Sequence, residues 1–238
     1  MAYINPKWII VEFLRRRITD PRSRIVSGSD TFSAPTVSQT DFELDPETGY
    51  KLSCTNSFLV NVTTYKYLWR DYWIDWENNK LILFTGLTAG EAVDPVTIAY
   101  KKATGSDWIF PDKPDENLSA TSFPRISVSI PAMVGSRLGQ YNAPTESVIR
   151  FQVDIWCKEK QNNQIFTISG RKYTGEKLAG YLGYKILEAF NEYEDDFFPI
   201  MYGFNNFSMM DMPFDIETQT HHKIIEFDMR MVNIADYP

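Results

Sequence analysis

The stretch FPRISVSIPAMVGSRLGQYNAPTESVIRFQVDIWCKE, residues 123–159, decides the fold class. It sets two alternating apolar runs on either side of a polar, glycine-bearing span, the pattern of paired strands. One strand is predicted over 123–130. The next, over 147–158, puts Ile149, Phe151, Val153, Ile155 and Cys157 on one face and Arg150, Gln152, Asp154 and Trp156 on the other. Strict period 2 means one covered face and one that meets water or another protein. The span MVGSRLGQYNAPTES between them reads as a long loop. Neither run holds a nucleophile beside a base, a phosphate loop or a set of metal ligands.

Downstream, a helix is predicted over 174–196, with Thr174 as its cap and Glu176 in its first turn. Leu178, Leu182, Ile186, Ala189, Phe190 and Tyr193 form its apolar stripe. Gly180 and Gly183 inside it each cost up to about 1 kcal/mol against alanine; they either admit a close neighbour or are merely tolerated. A strand follows over 200–209. The closing run HHKIIEFDMRMVNI alternates Ile225, Phe227, Met229 and Met231 against Ile224, Glu226, Asp228, Arg230 and Val232.

Upstream, MAYINPKWIIVEFLRRR reads as a helix capped by Asn5, with Pro6 as its first residue, where a missing N–H is harmless. Ile9, Ile10, Phe13 and Leu14 recur at helical spacing, and Asp20-Pro21 is the stop. Arg15-Arg16-Arg17 suit the negative end of the helix dipole, on a solvated face or against a partner. Between helix and hairpin, residues 27–119 shift to short β-prone runs. WIDWENNKLILF reads as strand, turn at Glu77-Asn78-Asn79, strand, and Val96, Ile98 and Tyr100 alternate again. The stretch GSDWIFPDKPDENLSATS looks like a linker. The fold class is therefore α+β: a mixed or antiparallel sheet with helices on one face, formed by 1–26 and 120–238. Residues 27–119 are expected to form an inserted antiparallel β-sandwich or barrel.

The 238 residues are 43% hydrophobic and 23% charged, enough to bury a core and unlike a disordered chain. A net charge of −7 argues against general binding to nucleic-acid phosphates. No run of about 18 apolar residues marks a membrane span. The N-terminal charges follow the apolar residues rather than precede them, unlike a secretory signal. Cys54 and Cys157 are too few for a disulfide framework, which predicts synthesis in a reducing cytoplasm.

Candidate chemistry is sparse. His221 and His222 are adjacent in a strand, so they point to opposite faces and are poorly placed to share a metal. Glu192, Glu194, Asp195 and Asp196 close a helix at the end disfavoured for negative charge. They read as a solvated terminus or a surface for a basic partner. Trp69, Tyr72, Trp73 and Trp76 fit either a sugar-binding platform or the β core. No catalytic residue, metal ligand or cofactor site is assigned.

FPRISV (123–128), SVIRFQVDIWCKE (147–159), GEKLAGYLGYKILEAF (175–190) and EFDMRMVNI (226–234), taken in order, resemble the tail-terminator and neck proteins of tailed phages and archaeal tailed viruses. The resemblance covers 1–20 and 120–238 by element type and order. In that family an N-terminal helix precedes a twisted sheet with helices on one face. The segment 59–102 is similar to small β modules of virion structural proteins. Asp71-Tyr72, 81–84, Gly90 and 96–100 match their pattern, and Asp94-Pro95 is extra.

The resemblance implies a structural virion protein without catalysis. It implies a homo-oligomeric ring, commonly a hexamer, that caps the tail tube and faces the head connector. Genomic DNA would pass through its lumen without specific binding, as an acidic chain suits. Arg150, Asp154 and Trp156 are then available to a neighbouring subunit, and the span between the strands either reaches across or is a mobile loop. The alternatives are a carbohydrate- or receptor-binding module built on the aromatic β segment, and a hydrolase whose paired acids meet only in the fold.

Overall fold

The computed structural model describes residues 5–47, 50–55, 58–60, 64–67, 70–75, 78–104, 107–112, 123–137, 145–159, 166–197 and 200–232. Its contacts divide the chain into two units, one of 1–22 with 108–238 and one of 23–107.

Helix α1 (Pro6–Arg17) starts where its cap predicts: the Asn5 side chain accepts from the Lys7 N–H at 3.1 Å, and proline occupies the first turn. Ile9, Ile10, Phe13 and Leu14 are all buried. The basic last turn is not simply a solvated face. Arg15 is buried and donates from Nε and Nη2 to the Ile109 carbonyl at 3.1 and 2.7 Å. Arg17 pairs with Asp196 at 2.6 Å and lies 3.7 Å over the Tyr193 ring.

The unit of 23–107 contains β1 (Ile25–Phe32), β2 (Asp41–Glu43), β3 (Tyr50–Thr55), β4 (Phe58–Val60), β5 (Thr64–Lys66), β6 (Tyr72–Asp75), β7 (Lys80–Leu83) and β8 (Val96–Thr104). They form three antiparallel ladders, β1-β8-β3, β2-β7-β6 and β4-β5. Phe42, Phe58, Tyr72, Leu81, Leu83, Val96, Ile98 and Tyr100 share one core. Val96, Ile98 and Tyr100 alternate inward as their period requires. Asp94-Pro95 precedes β8, which starts at Val96 opposite Phe32. No closed barrel forms among the described residues.

The other unit adds β9 (Ile109–Pro111), β10 (Arg125–Arg137), β11 (Thr145–Lys158), β12 (Phe166–Ile168), β13 (Arg171–Tyr173), α2 (Gly175–Glu192), β14 (Met201–Asp211) and β15 (Thr220–Val232). Five of these strands make a mixed sheet in the order β14-β15-β11-β10-β9, antiparallel except for β9 against β10. The chain is thus broadly α+β and mostly strand.

Three expectations are corrected here. Within the supposed linker, 105–122, Trp108 is buried and 109–111 form the edge strand β9; 105–106 and 113–122 lie outside the described residues. The supposed long loop, 133–147, is strand at 133–137 and 145–147, because β10 runs on to Arg137 and pairs with β11; 138–144 lie outside the described residues. Pro131 sits in a bulge between Ser129 and Ala132, where a strand tolerates a residue without an N–H. The helix α2 stops at Glu192 and is followed by a 3-10 turn (Glu194–Phe197).

Helix α2 packs on β11 and β15 over the face of Ile149, Phe151, Val153, Ile155, Ile225, Phe227 and Met229, and α1 packs on β9 and β10 with Phe13 against Phe190. Phe190 of α2 is the hub, with ring centroids 5.0 Å from Phe13, 4.6 Å from Phe227 and 4.9 Å from Phe204. The two helical glycines differ. A Cβ on Gly183 would lie 2.9 Å from the Met209 sulfur and 3.1 Å from Lys223 Cδ, so it admits a close neighbour; Gly180 faces open space.

Candidate interaction face

The second face of the five-stranded sheet carries the polar half of each strand's alternation. Arg150 stands directly opposite Asp228 and donates to both of its oxygens at 2.9 and 3.3 Å, and Asn206 adds a donor at 2.7 Å. These hydrogen bonds, Arg150's first, hold the Asp228 carboxyl below the usual carboxylate range. Two same-face positions along β11, the fully buried Asp154 carboxylate accepts from Gln152 at 3.0 and 3.1 Å and from His222 Nε2 at 2.7 Å. The His222 ring stacks on Trp156, with centroids 4.9 Å apart and planes at 14°. The Arg125 guanidinium lies 5.4 Å from the Trp156 ring and 4.6 Å from Phe123. At the far end, Tyr202 donates to Glu146, which raises the phenol's pKa, and Arg230 approaches the same carboxylate at 3.4 Å.

Arg150, Asp154 and Trp156 therefore already have partners within the chain. Arg150 and Trp156 are thus held in place rather than standing as free hooks, and Asp154 is buried. No helix among the described residues packs on it.

The histidines separate as strand geometry requires. His221 bonds Glu159 while His222 bonds Asp154, and no group of three or more metal-ligating side chains occurs among the described residues. A cleft of about 210 Å³ lies between the first turns of α2 and the β14–β15 turn, lined by Glu176, Ala179, Asp211, Met212, Phe214, His221 and His222. Cys54 and Cys157 are free and buried, and burial pushes the Cys157 thiol up, away from thiolate chemistry.

The acidic run is partly used internally: Asp196 holds Arg17, and Glu194 accepts from the Phe204 N–H at 3.2 Å. Of the aromatic set, Tyr72 is core, its hydroxyl 3.1 Å from that of Thr55, and Trp73 is half-buried; Trp69 and Trp76 lie outside the described residues. Tyr72 is thereby removed from any sugar platform.

Sequence reasoning missed one feature. Met209, Met210, Met212, Phe214 and Ile216 are all exposed along β14 and the turn after it. The signal was present in SMMDMPFDI, where Met210, Met212, Phe214 and Ile216 alternate with Asp211, Pro213 and Asp215 at period 2. The sequence matches no protein-family model and no curated protein.

Proposed function

We propose that this chain is a structural virion protein that forms a ring at the end of a tail tube, terminating the tail and joining it to the head connector. The observation that carries the reading is the one-sided cover of the five-stranded sheet. Helices α1 and α2 take the apolar face, and the other face leaves Arg150 exposed and Trp156 and His222 part-exposed to a partner around the buried Asp154. A rigid polar face with its charges already paired suits repeated subunit contacts, because little side-chain entropy is lost on docking.

In this reading the partners are further copies of the chain, six in a ring, then the tail-tube protein on one side and the connector on the other. DNA slides through the lumen without specific contacts, which an acidic chain of net charge −7 favours. The unit of 23–107 is an inserted virion-type β-sandwich on that ring. The chain is assembled in the host cytoplasm, resides in the tail or neck of the particle, and has no catalytic step.

Mass photometry of the purified protein and electron microscopy of particles test the reading. Rings of one stoichiometry are expected. A chain that stays monomeric at high concentration and is missing from particles refutes it.

A further inference from the structure

We infer that successive copies of this chain join edge to edge, the end of β14 in one copy pairing with the outer half of β10 in the next. The large sheet then runs on from subunit to subunit. This deepens the ring reading and rests on it.

The sheet has two open margins. On one side β14 pairs, among the described strands, only with β15. On the other, β9 covers β10 only at residues 126–128, which leaves 132–137 with β11 on one side and no described strand on the other. A strand margin presents a row of backbone N–H and C=O groups that a second strand can take up. Proteins guard such margins with bulges, proline and lysine. Here the guards stop short. β14 is irregular between Tyr202 and Ser208, with Gly203 and Asn206 at φ 69° and 53°, and then regular to Asp211. β10 has its bulge and Pro131 before Ala132 and is regular from there to Arg137. Residues 132–136 and 208–210 carry no charge.

Both regular stretches expose consecutive apolar residues. Met209 and Met210 are 42% and 44% exposed, and Met133 and Val134 are 54% and 69% exposed. Neighbours in a strand point to opposite faces, so apolar surface is exposed on both faces at each place, although the Met209 sulfur also lies close to Gly183 of α2. A strand laid alongside covers both. Within one sheet β14 and β10 run in opposite directions, so continuing the sheet joins them antiparallel, the stronger pairing.

The junction is staggered. Met210 stands level with Ile224, whereas Val134, through Val148, stands level with Arg230, six residues further along β15. That displaces each copy by roughly 20 Å along the strands, against roughly 19 Å across four strands. Strands inclined at roughly 45° to the ring's circumference satisfy both, a tilt close to that of closed barrels. The two patches differ, so the contact is heterologous and propagates around an axis instead of stopping at a dimer.

The full chain, Val134→Lys and Met210→Lys are compared by mass photometry, with circular dichroism to check the fold. The wild type is expected as rings and each variant as monomers. An equimolar mixture is expected to give dimers and nothing larger, since it retains one intact margin of each kind. Wild-type rings that survive both substitutions, or variants that fail to complement, overturn the edge pairing and leave the ring standing. A monomeric wild type overturns the ring itself. If a lysine variant misfolds, Val134→Cys combined with Met210→Cys replaces it, with bis-maleimide cross-linking. Ladders of covalent oligomers support the pairing, and intact rings without ladders overturn it.

Discussion

His222 donates to Asp154 at 2.7 Å on a diagonal across β15 and β11, since His222 is level with Trp156 and Asp154 with Ile224. The carboxylate is wholly buried and serves as acceptor for two side chains, Gln152 and His222. Asp154→Ala leaves those donors without their acceptor and should cost about 2–3 kcal/mol in chemical denaturation. Asp154→Asn, which keeps one acceptor oxygen, should cost less. Equal losses in the two variants would mean that the carboxylate is not what organises this face.

Arg150 and Asp228 set a pH dependence. The carboxyl is depressed in the folded state, so its contribution is full above the unfolded value of about 3.9 and is lost as pH falls through the lower folded value. Melting temperature should therefore fall on acidification below about pH 4. Asp228→Asn should start lower and show a shallower slope there. An unchanged slope in the variant would assign the acid limb to other groups.

Tyr100 sets a second dependence at the alkaline end. Burial first, then the charge of Asp30, pushes its phenol up to about 12, and its hydroxyl donates to the Asp45 carbonyl at 2.7 Å. The unfolded chain releases this proton near pH 10 and the folded chain does not, so stability should decline as pH rises from about 10. Ultraviolet phenolate titration of wild type against Tyr100→Phe reads this directly. The missing signal should be the last tyrosine to ionise.

Gly180 and Gly183 should respond in opposite ways to alanine. At Gly180 the new methyl meets nothing, and the helix gains up to about 1 kcal/mol. At Gly183 it presses on Met209 and Lys223, whose flexible ends can yield, so the helical gain should be cancelled. Gly183→Val, which cannot be accommodated in that way, should lower the melting temperature by several degrees.

Some of this was legible in the residues alone. The cap at Asn5, the faces of β11 and β15, the stripe of α2 and the split of His221 from His222 all follow from period and local geometry, which neighbours in sequence encode. The outer half of β10 was misread because Pro131 and Gly135 carry loop signals, which a bulge absorbs only when a partner strand lies alongside.

Period and capping chemistry told where each helix and strand lies and which side of it is apolar, because those properties are local. Folding alone settled that Arg15 reaches Ile109, that β9 joins β10 in parallel, and that Asp228 meets Arg150. Those partners stand 94 and 78 residues apart for the two arginine contacts. No short-range pattern specifies such meetings; they arise when burying the apolar faces brings distant strands into register.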